Sequence, residues 1–179
     1  MKTLKHFMTA VAAAGVLLAA SGCSTIAAQR TSAFSAGAHW VQLPMLNNAE
    51  TPRAGDSAEA IAGTLLRARG VTNLGHYPLR STESGLPDLD DSHRLVSALE
   101  WAKREGFDYG LGGVVSEWGY KTGLDGEPAA GVTLQVYDVT TGQIVWSASG
   151  AKSGWGYDSV SQIEQSLLEK LVSRLPLSR

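Results

Sequence analysis

The spacing of hydrophobic residues changes several times along this chain, and each change marks an element. Phe7 to Ala20 is almost wholly apolar, preceded by Lys2 and Lys5 and followed by Ser21, Gly22 and Cys23. A basic start, an apolar stretch and a small-residue cleavage site are the parts of a secretory signal. About 14 apolar residues fall short of the roughly 20 that a membrane-spanning helix needs. Ser24 to Ala38 is rich in Ser, Ala, Thr and Gly without periodicity and reads as a flexible tether. Val41, Leu43 and Met45 then alternate, predicting a strand over residues 40–46 in which Pro44 demands an edge position or a bulge.

Helical spacing follows. Thr51 and Pro52 offer an N-cap and a first-turn proline, Ala58, Ile61, Ala62 and Leu65 an inner stripe, and Gly70 a stop. A short strand fits residues 71–77, limited by Pro78, and residues 80–91 form a polar loop. Asp90, Asp91 or Ser92 can cap a second helix with Leu95, Ala98, Leu99 and Ala102 inside and Gly106 at its end. From Phe107 the period is two: strands over 109–120, 130–139 and 143–149, the last pair joined by the turn Thr140-Thr141-Gly142. Ser159 with Gln162 fits a capping box, and Val160, Ile163, Leu167, Leu171 and Leu175 stripe a final helix stopped by Pro176. The order β-α-β-α-β-β-β-α predicts a single α/β domain over 39–179, one mixed sheet flanked by helices, after a signal over 1–22 and a lipidated tether over 23–38.

Composition narrows the function. Cleavage before Cys23 leaves 157 of the 179 residues, with 13 basic against 17 acidic side chains, a net charge of −4. A mildly acidic chain lacks the basic face that nucleic-acid binding requires. Cys23 is the sole cysteine, so no disulfide forms within one chain. Leu18 to Cys23 reads as a lipobox with Ala20 in place of the commoner leucine, which makes Cys23 the lipidation site. Ser24, where aspartate would favour inner-membrane retention, directs the chain to the outer membrane, facing the periplasm.

Catalytic chemistry is sparse. Asp88, Asp90, Asp91 and His93 are close in sequence, but the acids suit a solvated loop that caps the next helix. His39, His76 and His93 have no zinc-ligand spacing. There is no G-x-S-x-G elbow, and Gly110-Leu111-Gly112-Gly113 lacks the P-loop lysine, so these glycines permit close strand packing. No catalytic residue, metal ligand or cofactor is expected. Trp146, beside Ile144, reads as core. Trp155 lies between Gly154 and Gly156 beside Lys152, suited to a membrane interface.

Residues 118–129, the strand Val132-Thr133-Leu134-Gln135-Val136, and Val145-Trp146-Ser147-Ala148-Ser149-Gly150-Ala151 through Gly154-Trp155 closely resemble the PelC family, outer-membrane lipoproteins of Pel exopolysaccharide export. The likeness extends to Trp40-Val41-Gln42-Leu43-Pro44, Gly55-Asp56 and Ala98-Leu99-Glu100-Trp101-Ala102. More distantly, residues 137–146 resemble the curli-secretion lipoprotein and the lipoprotein activators of peptidoglycan synthases. The resemblance implies a dodecameric periplasmic ring with aromatic residues toward the membrane and acidic residues lining the opposite funnel. The ring would guide a cationic amino-sugar polysaccharide toward an outer-membrane porin with periplasmic helical repeats. Trp155 would be the membrane-belt residue, and Asp125 and Glu127 the funnel residues. Two other readings stand beside this one: a monomeric lipoprotein that activates a cell-wall synthase, and an enzyme using Asp88, Asp90 and Asp91.

Overall fold

The structure is a computed structural model that describes residues 24–78, 91–121, 126–155 and 157–178. Its centre is a six-stranded mixed sheet in the order β1-β7-β6-β5-β3-β4. The strands are β1 (Ser24–Ala28), β3 (Trp40–Asn47), β4 (Leu74–His76), β5 (Tyr109–Tyr120), β6 (Pro128–Asp138) and β7 (Ile144–Ser153). β3 runs parallel to β4 and β5, whereas β5, β6, β7 and β1 are successively antiparallel. A two-stranded parallel sheet joins β2 (Phe34–Ser35) to β8 (Leu177–Ser178).

Three helices cover the main sheet: α1 (Ala54–Ala68), α2 (Asp91–Glu105) and α3 (Val160–Ser173). α1 and α3 pack on one face, where Trp40, Met45, Leu111, Val115, Leu134, Val136 and Trp146 meet Ala58, Ala62, Leu66, Leu167 and Leu171. On the other face α2 brings Ala98 and Ala102 against Val41, Leu43, Tyr137 and Val139. Alternating side chains thus feed two cores from one sheet. Gly110 and Gly112 lie under Leu43, and a Cβ on Gly112 would stand 3.3 Å from the Leu43 Cβ. These glycines serve close packing, as their strand context predicts.

Most predicted elements are present, with three corrections. The expected flexible tether is partly strand: β1 pairs with β7 along all five of its residues, and Phe34 and Ser35 pair with the C-terminal Leu177 and Ser178. α1 begins later than Thr51-Pro52 suggests. Its N-cap is Arg53, in the left-handed region at φ 59°, held by its Nε–H donating to Asp56 Oδ2 at 2.9 Å. Thr51 instead donates its hydroxyl to the Trp118 carbonyl, tying the loop to β5. The inner stripe of α1 is Ala54, Ala58, Ala62 and Leu66, while Ile61 and Leu65 are half-buried. Other expectations hold: Pro44 lies at a register shift between Gln42 and Met45, Gly70 and Gly106 end their helices at φ 95° and 78°, and both halves of the Ser159–Gln162 capping box form.

Candidate functional site

One end of the main sheet carries the exposed aromatic residues. β5 ends at Tyr120, which pairs with Pro128 at the start of β6. The Gly154 N–H, one residue past β7, donates to the Pro128 carbonyl at 2.8 Å. The end of β5, the start of β6 and the residue after β7 therefore lie side by side. Tyr120 is 61% exposed, Trp155 60% and Tyr157 fully exposed, in a protein whose Trp40 and Trp146 are completely buried.

The chain holds Trp155 outward by local bonds. Its N–H donates to Asp158 Oδ2 at 2.9 Å, and the Asp158 N–H returns to the Trp155 carbonyl at 2.8 Å. Gly154 is buried, and a Cβ there would stand 2.6 Å from Asp158 Oδ2 and 2.7 Å from the Ile163 Cδ1. The loop thus packs at Gly154 and turns its next side chain to solvent. Leaving an indole exposed forgoes roughly 1.5–3 kcal/mol of burial, as for any large apolar side chain, so a surface that covers it would be rewarded.

Glu127 is half-buried at the same end, and its carbonyl accepts the Lys121 N–H at 2.8 Å. It is next to Pro128 and hence close in the fold to Trp155, not at the far end of the domain. Asp125 and Cys23 lie outside the described residues, as do Asp88, Asp90 and the side chain of Asp91. Among the described residues no group of three or more His, Cys, Asp or Glu could hold a metal ion. No helix among them is long and apolar enough to cross a membrane.

The sequence reading missed a polar cleft at the other edge of the sheet, about 120 Å³, lined by Pro44, Arg53, Asp56, Glu59, Ala60, His76, Tyr77 and Arg94. Glu59, on the inner side of α1, is only 7% exposed and meets His76 Nε2 at 2.8 Å. Asp56 lies 3.8 Å from Arg94. Burial raises the Glu59 pKa above the usual carboxylate range, against the pull of His76 and Arg94. The available signal was a glutamate directly beside the Ala58 and Ala62 stripe.

The architecture is that of a small mixed α/β domain with one main sheet, a two-stranded clasp and an aromatic end. A lipoprotein from Neisseria meningitidis shares this fold at 20% identity and TM-score 0.55, over 76% of this chain and 96% of that one. The PelC dodecamer from Paraburkholderia phytofirmans is 36% identical, with TM-score 0.73, covering 88% of this chain and all of that one. A single-substitution variant of that dodecamer, in another crystal form, matches with the same identity and TM-score. The chain belongs to the PelC family, the Pel export lipoproteins. No family model and no curated relative matches it.

Proposed function

We propose that this protein is a non-enzymatic outer-membrane lipoprotein that assembles into a periplasmic ring and guides the cationic Pel polysaccharide toward its export porin. The observation that carries this reading is the 36% identity, over 88% of the chain, to a PelC protein that is a dodecamer. Cys23 is the lipidation site, and Trp155 enters the lipid interface. The exposure of Tyr120 and Tyr157 beside it supports a wider aromatic belt.

Asp125 and Glu127 supply the acidic contacts for the polymer. Because Glu127 sits at the aromatic end, we place its contact at the membrane-proximal mouth of the ring. Twelve mature chains at −4 would concentrate roughly −48 formal charges on one assembly, enough to gather a polycation without a tight site. Weak, repeated, exposed pairs suit a guide, since strong binding at any one position would stall transport.

Light scattering on the mature soluble domain tests the ring: a mass near twelve subunits is expected, and a concentration-independent monomer would defeat the reading. Trp155→Ala should weaken binding of the unlipidated domain to phospholipid vesicles, and unchanged binding removes Trp155 from the belt. Glu127→Lys should reduce polysaccharide secretion in cells while the domain keeps its far-UV circular dichroism. Normal secretion would take Glu127 out of the polymer path.

A further inference from the structure

We propose that β1 is a rigid arm joining the lipid anchor to the sheet, so that membrane attachment fixes the tilt of the domain as well as its distance. This rests on the reading of Cys23 as the lipidation site and Trp155 as a membrane residue. If residues 23–38 were a flexible coil, their root-mean-square reach would be roughly 20–24 Å, enough for the domain to tumble beneath its anchor. β1 instead begins at Ser24, so only about 3.8 Å, one Cα-to-Cα step, separates Cys23 from the sheet.

The arm is fastened along its length. Ser24 to Ala28 pair with Lys152 to Ala148 in unbroken antiparallel register. At one end Lys170 Nζ donates to Ser24 Oγ at 3.0 Å. At the other, the Gln29 N–H donates to the Ser147 carbonyl at 2.9 Å, and the Gln29 carbonyl accepts Trp146 Nε1–H at 3.1 Å. Ile26 is the half-buried residue of the strand and packs against the main core opposite Gly150. A Cβ on Gly150 would lie 3.1 Å from both Ile26 Cγ1 and Leu167 Cδ1, so this glycine is what lets β1 sit close. Lys152, the partner of Ser24, is itself held by donating to Ser166 Oγ at 2.8 Å.

The direction of the arm matters as much as its stiffness. Ser24 pairs at Lys152, two residues before the Gly154 contact and three before Trp155. The chain therefore enters the sheet at the end that presents Tyr120, Trp155 and Tyr157. Acyl chains at Cys23 and the exposed aromatic rings would meet the same lipid surface. Lys170 and Ile26 are positioning residues for that geometry: they touch no lipid, but hold the strand that aims it.

The test uses the full lipidated protein in phospholipid vesicles doped with a shallow nitroxide-labelled lipid. The Trp155 share of fluorescence quenching is the difference from a Trp155→Phe control. The Gln29 bond sets the alternation of an antiparallel pair, so the N–H groups of Thr25 and Ala27 also point at β7. Thr25→Pro with Ala27→Pro removes both donors from an edge strand whose side chains, Ile26 apart, are exposed, which spares the core. The double variant should stay folded and vesicle-bound but lose Trp155 quenching several-fold, with a smaller loss for Lys170→Ala. Full quenching in the double variant overturns the rigid arm while leaving the belt intact. Absence of quenching in the unmodified protein overturns the belt itself.

Discussion

At the scale of single residues, the tryptophans divide by what surrounds them. Trp146 is buried with its indole N–H bonded to Gln29, while Trp155 sits one residue past a buried glycine with most of its surface exposed. The sequence separated these two because Ile144 and the strand period flank Trp146, whereas glycine flanks Trp155 on both sides. It did not separate out Glu59, because a lone glutamate within a helix is ordinarily solvated. Burial raises the pKa of Glu59 and also of Glu164, itself only 7% exposed. A carboxyl whose folded pKa exceeds its unfolded value stabilises the fold below the unfolded pKa, and that share is lost as pH rises through the folded one. Thermal midpoints should therefore fall as pH rises from the ordinary carboxylate pKa through the raised folded values. Glu59→Gln should flatten part of that slope, and an unchanged slope would assign it to other groups. Asp138 acts with the opposite sign: the Thr141 N–H and hydroxyl lower its pKa, so its contribution disappears toward acid.

At the scale of elements, legibility followed local coding. The final helix was readable because its start, stripe and stop all lie within its own residues: Ser159 and Gln162 form the box, Ile163, Leu167 and Leu171 are buried, and Pro176 follows. α2 was readable for the same reason, through Ala98, Ala102 and Gly106. β1 and β2 were not. Ser24 to Ala28 has one large apolar residue, and its strand conformation comes from β7, more than a hundred residues away in sequence. The Thr51-Pro52 signal misled because Thr51 found a better partner in the β5 backbone. Central strands depend on glycine in a way that can be tested. Gly113 has φ 155°, and a Cβ there would collide with the Thr133 carbonyl of β6. Gly113→Ala should cost about 3 kcal/mol of unfolding free energy, the range of an overpacked core with backbone strain. A loss within the scatter of ordinary surface substitutions would show that the ladder can yield there.

At the scale of the whole molecule, the two ends of the main sheet differ in what covers their aromatic residues. Phe34, Trp40 and Tyr109 form a ring cluster at the beginning of β5, with centroids 5.1 to 6.0 Å apart, and β2 and β8 close over it. Tyr120, Trp155 and Tyr157 occupy the other end, beside the start of β1. The candidate site is thus legible in the sequence as single residues, but only the fold shows that Glu127, Trp155 and the start of β1 share one end. That grouping depends on β6 and β7 pairing in register from Ala129–Ser153 onward, a long-range fact that no local pattern encodes.

The clasp between β2 and β8 also has a consequence in time. Phe34 and Ser178 are joined across 144 residues of sequence, and Arg69 on α1 waits for the Val172 and Leu175 carbonyls near the end of the chain. Loop closure over such separations is slow, and contacts of this kind reward the chain only after nearly all of it is present. A chain emerging from its N-terminus cannot finish either join until its last residues arrive. The fold thereby delays its own completion until its C-terminal strand is present.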